Sequence, residues 1–188
     1  INLPGWAGGA NWTGAAFDPI SKILYVPSHT GAIVAKLSPG DPEKTNFKYM
    51  RSRSVTRVNG PKGLPLTKPP YSRITAINMN TGEHVWMQTN GNGPRERVIN
   101  LGLPDPGPLG AGWSGAPLLT KTLLFVAQDD NGRAVLRGFD KGNGDVLVEI
   151  DLPAKPWGAP MSYYEEGAQF IVIASGEAKN ARLIALSI

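Results

Sequence analysis

Two short sequence patterns recur along the chain, and their alternation constrains its fold more than any other feature. The first pattern is an apolar strand, a turn led by Asn or Asp with glycine at a fixed offset, and a second strand. It occurs at 76–86 and at 138–148, and a looser copy runs from Ala16 through Lys22 to Tyr25. Turns of this composition between apolar runs are typical of β-hairpins.

The second pattern places a tryptophan shortly before Gly-Ala and an apolar strand. It begins at Trp12, Trp113 and Trp157, so the two patterns alternate along the chain. Each pair of hairpins supplies about four strands, which is the content of one propeller blade. The sequence therefore predicts an all-β fold, a partial β-propeller forming a single domain over 1–188. The predicted blades lie at about 12–90, 113–152 and 158–188, and the third stops after its third strand.

One tryptophan closes the first hairpin pattern. Trp86 follows the turn led by Asn78, and Val148 stands at the equivalent position after the turn led by Asp140. A large flat side chain on the last strand of a blade buries much apolar area against the next blade. We therefore expect Trp86 to pack between neighbouring blades, and the smaller Val148 to pack less strongly.

Positive charge is concentrated in one segment. The 188 residues carry a formal net charge of +4, yet eight Lys and Arg and no acidic residue lie between Lys44 and Arg73. We interpret an insertion at about 40–70 as a solvated loop, because runs of like charge repel and stay hydrated. A polyanion site is the alternative. Nucleic acid is not expected as a partner, because the segment lacks a series of stacking aromatic residues.

Composition excludes several kinds of chemistry. The chain has no cysteine and only two histidines, so disulfides, thiolate sites and a multi-histidine metal centre are not expected. No apolar stretch is long enough to span a membrane. The first residues do not read as a signal peptide, and without an initiator Met we expect a processed or truncated chain. Ala116 breaks a G-x-S-x-G match, and 129–132 predicts a hairpin turn rather than a calcium loop.

The first hairpin pattern resembles the tryptophan-docking motif of the quinoprotein dehydrogenases, which use pyrroloquinoline quinone (PQQ). Three further blocks, at 8–19, 115–126 and 158–163, are similar to signature blocks of that family. The Gly-Leu-Pro sequences at 63–65 and 102–104 look most like the glucose and quinate dehydrogenase branch. The resemblance covers nearly the whole chain in order.

This resemblance implies the C-terminal third of an eight-bladed propeller. It also implies a periplasmic enzyme, with membrane association of the complete protein as a further expectation. Such an enzyme passes electrons from a sugar, polyol or alcohol hydroxyl to PQQ and then to a quinone acceptor. A Ca²⁺ ion and a carboxylate base assist, but both the calcium ligands and the base are expected upstream of Ile1. No catalytic residue or metal ligand is therefore assigned, and the chain alone is expected to be inactive.

By motif match, the resemblance assigns Asn11 and Trp12 to the edge of the cofactor, followed by Trp113 and, more weakly, Trp157. Tryptophan suits such a role because it is flat, largely apolar and carries one hydrogen-bond donor. The alternative for each tryptophan is packing between blades.

Two other functions stay open on the sequence. A non-catalytic propeller module that serves binding or scaffolding would keep the fold without the chemistry. The basic segment could instead dock the protein on an anionic surface, through salt-sensitive binding. With only three blades, the open sheet faces predict missing partner blades or self-association.

Overall fold

A computed structural model of the protein describes residues 1–6, 8–51, 56–112 and 115–187, without the side chains of Thr56 and Arg57. Strands dominate it, with one short helix, α1 (Arg95–Asn100), and 3-10 turns at Pro61–Gly63 and Ala178–Asn180. In chain order the strands are β1 (Ala16–Asp18), β2 (Ile23–His29), β3 (Ile33–Val34), β4 (Leu37–Pro39), β5 (Tyr49–Arg51), β6 (Thr56–Arg57), β7 (Ser72–Asn78), β8 (His84–Thr89), β9 (Pro117–Leu119), β10 (Leu123–Asp130), β11 (Arg133–Asp140), β12 (Val146–Asp151), β13 (Pro156–Glu165), β14 (Ala168–Ser175) and β15 (Arg182–Ser187).

Three antiparallel sheets form the body of the protein. The first has the order β1-β2-β7-β8, the second β9-β10-β11-β12, and the third, within the described residues, β13-β14-β15. The leading strands lie side by side, because β1 contacts β9 and β9 contacts β13. Sheets that stack face to face with their leading strands together have the arrangement of propeller blades. The prediction of an all-β, partial-propeller fold is confirmed.

The three hairpin turns of the first repeat share one geometry. In each, the residue four positions after the leading Asp or Asn has a positive φ, and its N–H donates to the leading carbonyl. The three turns are Asp18–Lys22 (φ +59°, N···O 2.9 Å), Asn78–Gly82 (φ +78°, 2.7 Å) and Asp140–Gly144 (φ +82°, 2.8 Å). The looser copy of the pattern, which begins at Ala16, therefore has the same turn geometry, with Lys22 at the position where the other two copies have glycine.

The second sheet is buried on both faces, because successive side chains along β10 point to opposite faces and most of them are apolar. Leu124 and Val126 point toward the first sheet, and Phe125 and Ala127 point toward the third. The cluster between the first and second sheets comprises Tyr25, Ile74, Ala76, Leu124, Val126 and Phe139. The cluster between the second and third sheets comprises Phe125, Ala127, Leu136, Leu152, Ile171 and Ile173.

Trp86 packs on the second sheet, as the repeat predicted. Its indole lies against Gly144, where an added Cβ would approach ring carbon Cε3 to 2.7 Å. The indole N–H and the Tyr25 hydroxyl both donate to the Lys141 carbonyl, at 3.1 and 3.0 Å. The Lys141 ammonium in turn binds the Asp18 carboxylate at 2.6 Å. We call these contacts the Lys141 latch.

Residues 30–71 leave the first sheet between β2 and β7. Two short ladders, β3 with β6 and β4 with β5, give this excursion some regular structure, and Asn2 pairs with Ile33. Most of its described side chains are exposed, as a solvated segment requires. Arg53 of the basic run lies outside the described residues.

Candidate functional site

The two ends of the sheets differ in character. One end carries the three tight turns and the Lys141 latch. The opposite end carries the excursion, the connection 90–116 and the segment that precedes β1. Because Trp12 stands just before the first leading strand and Trp157 stands near the start of the third, both lie at this second, open end. Functional residues concentrate on such connections above a rigid scaffold.

Asn11 and Trp12 form a turn four residues before β1. The Gly14 N–H donates to the Asn11 carbonyl at 3.0 Å, and the Asn11 Oδ1 accepts the Trp12 N–H at 2.8 Å. Gly14 has φ +85°, a conformation that suits glycine best. The turn presents the Trp12 side chain at 81% exposure, so this tryptophan is not packed between sheets.

The other two predicted tryptophans are placed differently. Trp113 lies outside the described residues. Trp157 is the second residue of β13, opposite Ala174, and is 45% exposed. The Lys155 ammonium sits 4.2 Å from the centre of its ring, a cation–π contact. In the described part of the chain no ring contact joins Trp12 to Trp157, so the structure does not bring them together.

A cavity of about 460 Å³ opens at the same end, between the segment before β1, the excursion and α1. It approaches both candidate cofactor segments, because Gly8 and Gly112 line it, three residues before Asn11 and one before Trp113. Among the described residues that line it, the ionisable side chains are Arg97, the buried His29 and Tyr71, and none is Asp or Glu. Burial raises the pKa of Tyr71, so its phenol stays protonated at neutral pH.

A buried ion pair holds the connection after β8 beside this cavity, and we call it the Asp130 clamp. The Asp130 carboxylate accepts the backbone N–H groups of Asn92 and Gly93 at 2.9 and 3.2 Å, and it binds the Arg137 guanidinium at 2.7 Å. Arg137 also donates to Gln128 at 2.9 Å and pairs with Glu149. Desolvation opposes ionisation of Glu149, but hydrogen bonds from Arg137 and Arg133 lower its pKa overall.

The sequence did not reveal this clamp. The stretch 129–132 is a hairpin turn, as predicted, with Asn131 and Gly132 at φ +56° and +91°. What pattern reasoning missed is that Asp130 also reaches across to the chain leaving β8. A charged residue inside an otherwise apolar strand, such as Arg137 in β11, is the available signal, because buried charges need partners.

The two arginines of α1 have different surroundings. Arg95 is neutralised by Asp105 through two bonds of 2.7 and 2.6 Å, which lower the pKa of that carboxyl to about 2. The Arg97 side chain has no ion pair or hydrogen bond with any described residue. Its guanidinium lies against Gly63 of the excursion, where an added Cβ would come within 2.7 Å of Nη2.

The described residues contain no group of three or more His, Cys, Asp or Glu side chains able to hold a metal ion. None of the helices in the described ranges is long and apolar enough to cross a membrane.

Comparison with known proteins gives one consistent result. Residues 1–171 match the family described as "PQQ: Glucose/ethanol/alcohol dehydrogenase, beta-propeller domain". Quinate/shikimate dehydrogenase (quinone) of Acinetobacter baylyi is 28% identical over 207 residues, covering 96% of this chain and 25% of that protein. Quinoprotein glucose dehydrogenase of Escherichia coli is 26% identical, covering 93% of this chain and 24% of that protein. The glycerol dehydrogenase large subunit of Gluconobacter thailandicus is 30% identical, covering 94% and 27%.

The chain spans about a quarter of the length of these relatives. Among solved structures, the quinohemoprotein alcohol dehydrogenase of Comamonas testosteroni matches 92% of this chain and 23% of its own, with a TM-score of 0.58 and 19% identity. That likeness supports the fold. The family match over 1–171 shows that this chain belongs to the PQQ β-propeller domain family of glucose, ethanol and alcohol dehydrogenases.

Proposed function

We propose that this chain is part of a PQQ-dependent dehydrogenase that oxidises a hydroxyl group of a sugar, polyol or alcohol and passes the electrons to a quinone acceptor. The observation that carries the proposal is the exposed Asn11–Trp12 turn at the head of β1, in a chain of this family. We further propose a periplasmic location for the complete protein.

The residues at the open end fit the cofactor chemically. PQQ is a flat, fused-ring acid, and the 81% exposed Trp12 offers a flat apolar surface with one N–H donor. Asn11 adds an amide beside it. Asn11, Trp12 and Trp113 would hold the cofactor, with Trp157 as a fourth candidate. When bound, PQQ supplies the two-electron acceptor.

The chain's own contribution is to position and shield the cofactor. The turn closed by Gly14 fixes the direction in which Trp12 leaves the backbone, and the Asp130 clamp holds the connection after β8. The calcium ligands and the catalytic base are proposed to lie in blades that precede Ile1. This chain alone is therefore expected to bind the cofactor rather than to turn over substrate.

A cofactor titration tests the proposal. The purified chain is dialysed against PQQ with Ca²⁺, bound PQQ is read from its absorbance, and molecular mass is measured on the same sample. We expect saturable binding near one equivalent per chain or per assembly. Trp12→Ala should weaken it at least about fivefold, because stacking on an aromatic ring is worth about 1–3 kcal/mol.

The matched control is Trp6→Ala, a half-exposed tryptophan whose ring packs on Arg51 at 4.4 Å. It should leave PQQ binding unchanged. Absence of saturable binding, or equal loss in both variants, would contradict the cofactor role and favour a non-catalytic binding or scaffold module. The mass readout separates a monomer from self-associated chains.

A further inference from the structure

The excursion 30–71 carries the positive charge of the protein. It contains eight Lys and Arg and two acidic residues, a net charge of +6, whereas the rest of the chain has a net charge of −2. Within it, β4, β5 and the turn that joins them form a hairpin over residues 36–51, which we call the basic hairpin. Of its four cations, only Lys44 forms an ion pair with a described residue, to Asp41 at 2.7 Å. The other three charges are therefore available to an anionic partner.

Large apolar side chains are exposed beside these charges. Leu37 lies opposite Arg51 in the ladder, and Tyr49 shares their face because alternate residues of a strand point the same way. The Trp6 ring lies 4.4 Å from the Arg51 guanidinium and extends this face. Single exposed apolar residues are common on a soluble protein, but a group of them marks an interaction surface. The group, with exposures between 43% and 69%, comprises Trp6, Leu37, Phe47, Tyr49 and Met50.

The combination of aromatic rings and cations fits an anionic lipid surface better than a protein partner. Aromatic residues beside Lys and Arg are the residues that hold a segment at the boundary between lipid headgroups and acyl chains. Three of the four cations of the basic hairpin are lysines. Lysine is depleted in the core of protein–protein interfaces, whereas each lysine near an anionic bilayer adds to binding. Its long stem lies along apolar surface while the ammonium stays at the headgroups.

We infer that the basic hairpin, together with Trp6, is a peripheral membrane contact that binds the headgroups of anionic phospholipids and places Phe47 and Tyr49 in the interfacial layer of the bilayer. The inference goes beyond the proposed function and does not depend on it. Trp6 also lines the cavity at the open end of the sheets, so the hairpin borders that cavity. Docking through the hairpin would therefore hold the open end next to the bilayer.

Vesicle binding tests the inference. The purified chain is sedimented with vesicles of phosphatidylcholine alone and with vesicles of phosphatidylcholine and phosphatidylglycerol, at low and at physiological ionic strength. Binding to the anionic vesicles at low salt should be at least about tenfold tighter, since each cation near an anionic surface gives about a fivefold gain. Physiological salt should reduce this preference, because it screens the attraction between exposed charges.

Variants assign the binding to the basic hairpin. Lys48→Gln should weaken binding to anionic vesicles about fivefold and leave binding to phosphatidylcholine vesicles unchanged. Phe47→Ser should also weaken binding to anionic vesicles at least about fivefold, but it should leave the salt dependence unchanged, because it removes apolar contact and no charge.

The matched controls are Lys121→Gln and Tyr164→Ser. Lys121 is an exposed cation in the turn between β9 and β10, and Tyr164 is a tyrosine of β13 with 73% exposure. Each control should change vesicle binding less than twofold. All four substituted side chains are exposed, so the free energy of unfolding should stay close to that of the parent chain in every variant.

Three outcomes would overturn the inference: no preference for anionic vesicles, a preference that Lys48→Gln leaves unchanged, or equal losses in the hairpin variants and their controls. A single-stranded oligonucleotide separates a membrane contact from a polyanion site. If it binds as tightly as the anionic vesicles and Phe47→Ser weakens neither, the hairpin is a polyanion site and the inference is wrong. The PQQ titration is independent: cofactor binding without vesicle binding removes only this inference, and the reverse result removes only the proposed function.

Discussion

The two interfaces between sheets are built differently. Between the first and second sheets, an apolar cluster is flanked by the Lys141 latch at the turn end and the Asp130 clamp at the open end. Between the second and third sheets the contact is an apolar cluster, with Val148 at the position that Trp86 takes in the first sheet. Apolar burial is non-directional, whereas hydrogen bonds and ion pairs fix an orientation. The first two sheets should therefore behave as one unit, with the third attached less specifically.

Removing the centre of the Asp130 clamp should have the largest effect. Arg137 and Asp130 have side-chain exposures of 3% and 2%, and breaking one partner of a buried pair costs about 3–5 kcal/mol. We expect Arg137→Met to lower the unfolding free energy by that amount in urea denaturation. The cause is the Asp130 charge left buried without its main partner.

Arg133→Met is the matched control, on the same strand. Arg133 is 45% exposed and pairs with Glu149 and Asp151 at the surface, where such pairs are worth at most about 1 kcal/mol. Similar losses in the two variants would mean that the clamp is no more than a surface ion pair. A loss confined to Arg137→Met would support the role of the clamp in joining the first two sheets.

The Trp86 contact gives the next effect. Gly144→Ala and Gly82→Ala both place a Cβ at positive φ, but the first meets the indole at 2.7 Å and the second meets nothing within 4 Å. We expect losses of about 3 kcal/mol and about 1 kcal/mol, since overpacking adds to the backbone term. The measurement is again the free energy of unfolding.

A double-mutant cycle makes this comparison specific. In a Trp86→Ala background the steric term disappears, so Gly144→Ala should cost no more than Gly82→Ala. If the excess cost persists without the indole, Trp86 is not the cause, and the difference lies in the turn at 140–144 itself. Val148→Ala, at the equivalent position of the second interface, should cost less than Trp86→Ala.

Much of the interface between the first and second sheets could be predicted from the sequence, because its partners lie within short repeated patterns. The repeat places Trp86 and Gly144 at defined offsets from Asn78 and Asp140, so one pattern predicts both partners. The clamp could not be predicted in this way. Asp130 and Arg137 meet because β10 and β11 pair with Asp130 opposite Arg133, and Asn92 joins them from the connection that follows β8.

The residues of the candidate site also differ in how far the sequence predicts them. Asn11 and Trp12 lie in one contiguous block that matches a motif of the family. Their assignment to the edge of the cofactor stays a prediction. The cavity draws on four separate segments, so neither its shape nor the freedom of Arg97 is visible in any one window of sequence. Arg95 pairs with Asp105, whereas the Arg97 side chain lies against Gly63, and neither contact is visible in the sequence of α1.

The Lys141 latch predicts a pH dependence. The hydrogen bond from Lys141, helped by the backbone N–H of Ile20, holds the pKa of Asp18 well below its usual range. Because the folded-state pKa is the lower one, the stabilisation is present above the ordinary carboxyl pKa near ~4 and is lost as the pH falls below it. Asp18→Asn should reduce stability at pH 7 and flatten the acid slope of the unfolding free energy.

Lys141→Met should flatten the slope in large part but less than Asp18→Asn, because the hydrogen bonds from Ile20 and Ser21 remain, and combining the two substitutions should add little to the effect of Asp18→Asn alone. Lys44→Met provides the control, since Lys44 pairs with Asp41 on the exposed excursion. If the losses in unfolding free energy of the two single variants add in the double variant, Asp18 is stabilised by the hydrogen bonds of its own turn rather than by Lys141 of the second sheet.

The smallest expected effect concerns Lys22, which takes the glycine position in the third copy of the turn. At φ +59° a side chain costs about 1–2 kcal/mol, whereas glycine costs about 0.5–1 kcal/mol in unfolded-state entropy. Lys22→Gly should therefore stabilise the protein by about 0.5 kcal/mol, opposite in sign to Gly82→Ala. The backbone bond from Met79 to the Lys22 carbonyl, at 2.9 Å, survives the change. Because Asp18 keeps its bond to Lys141, the acid slope should not move; a changed slope would show that the strained turn and the latch are coupled.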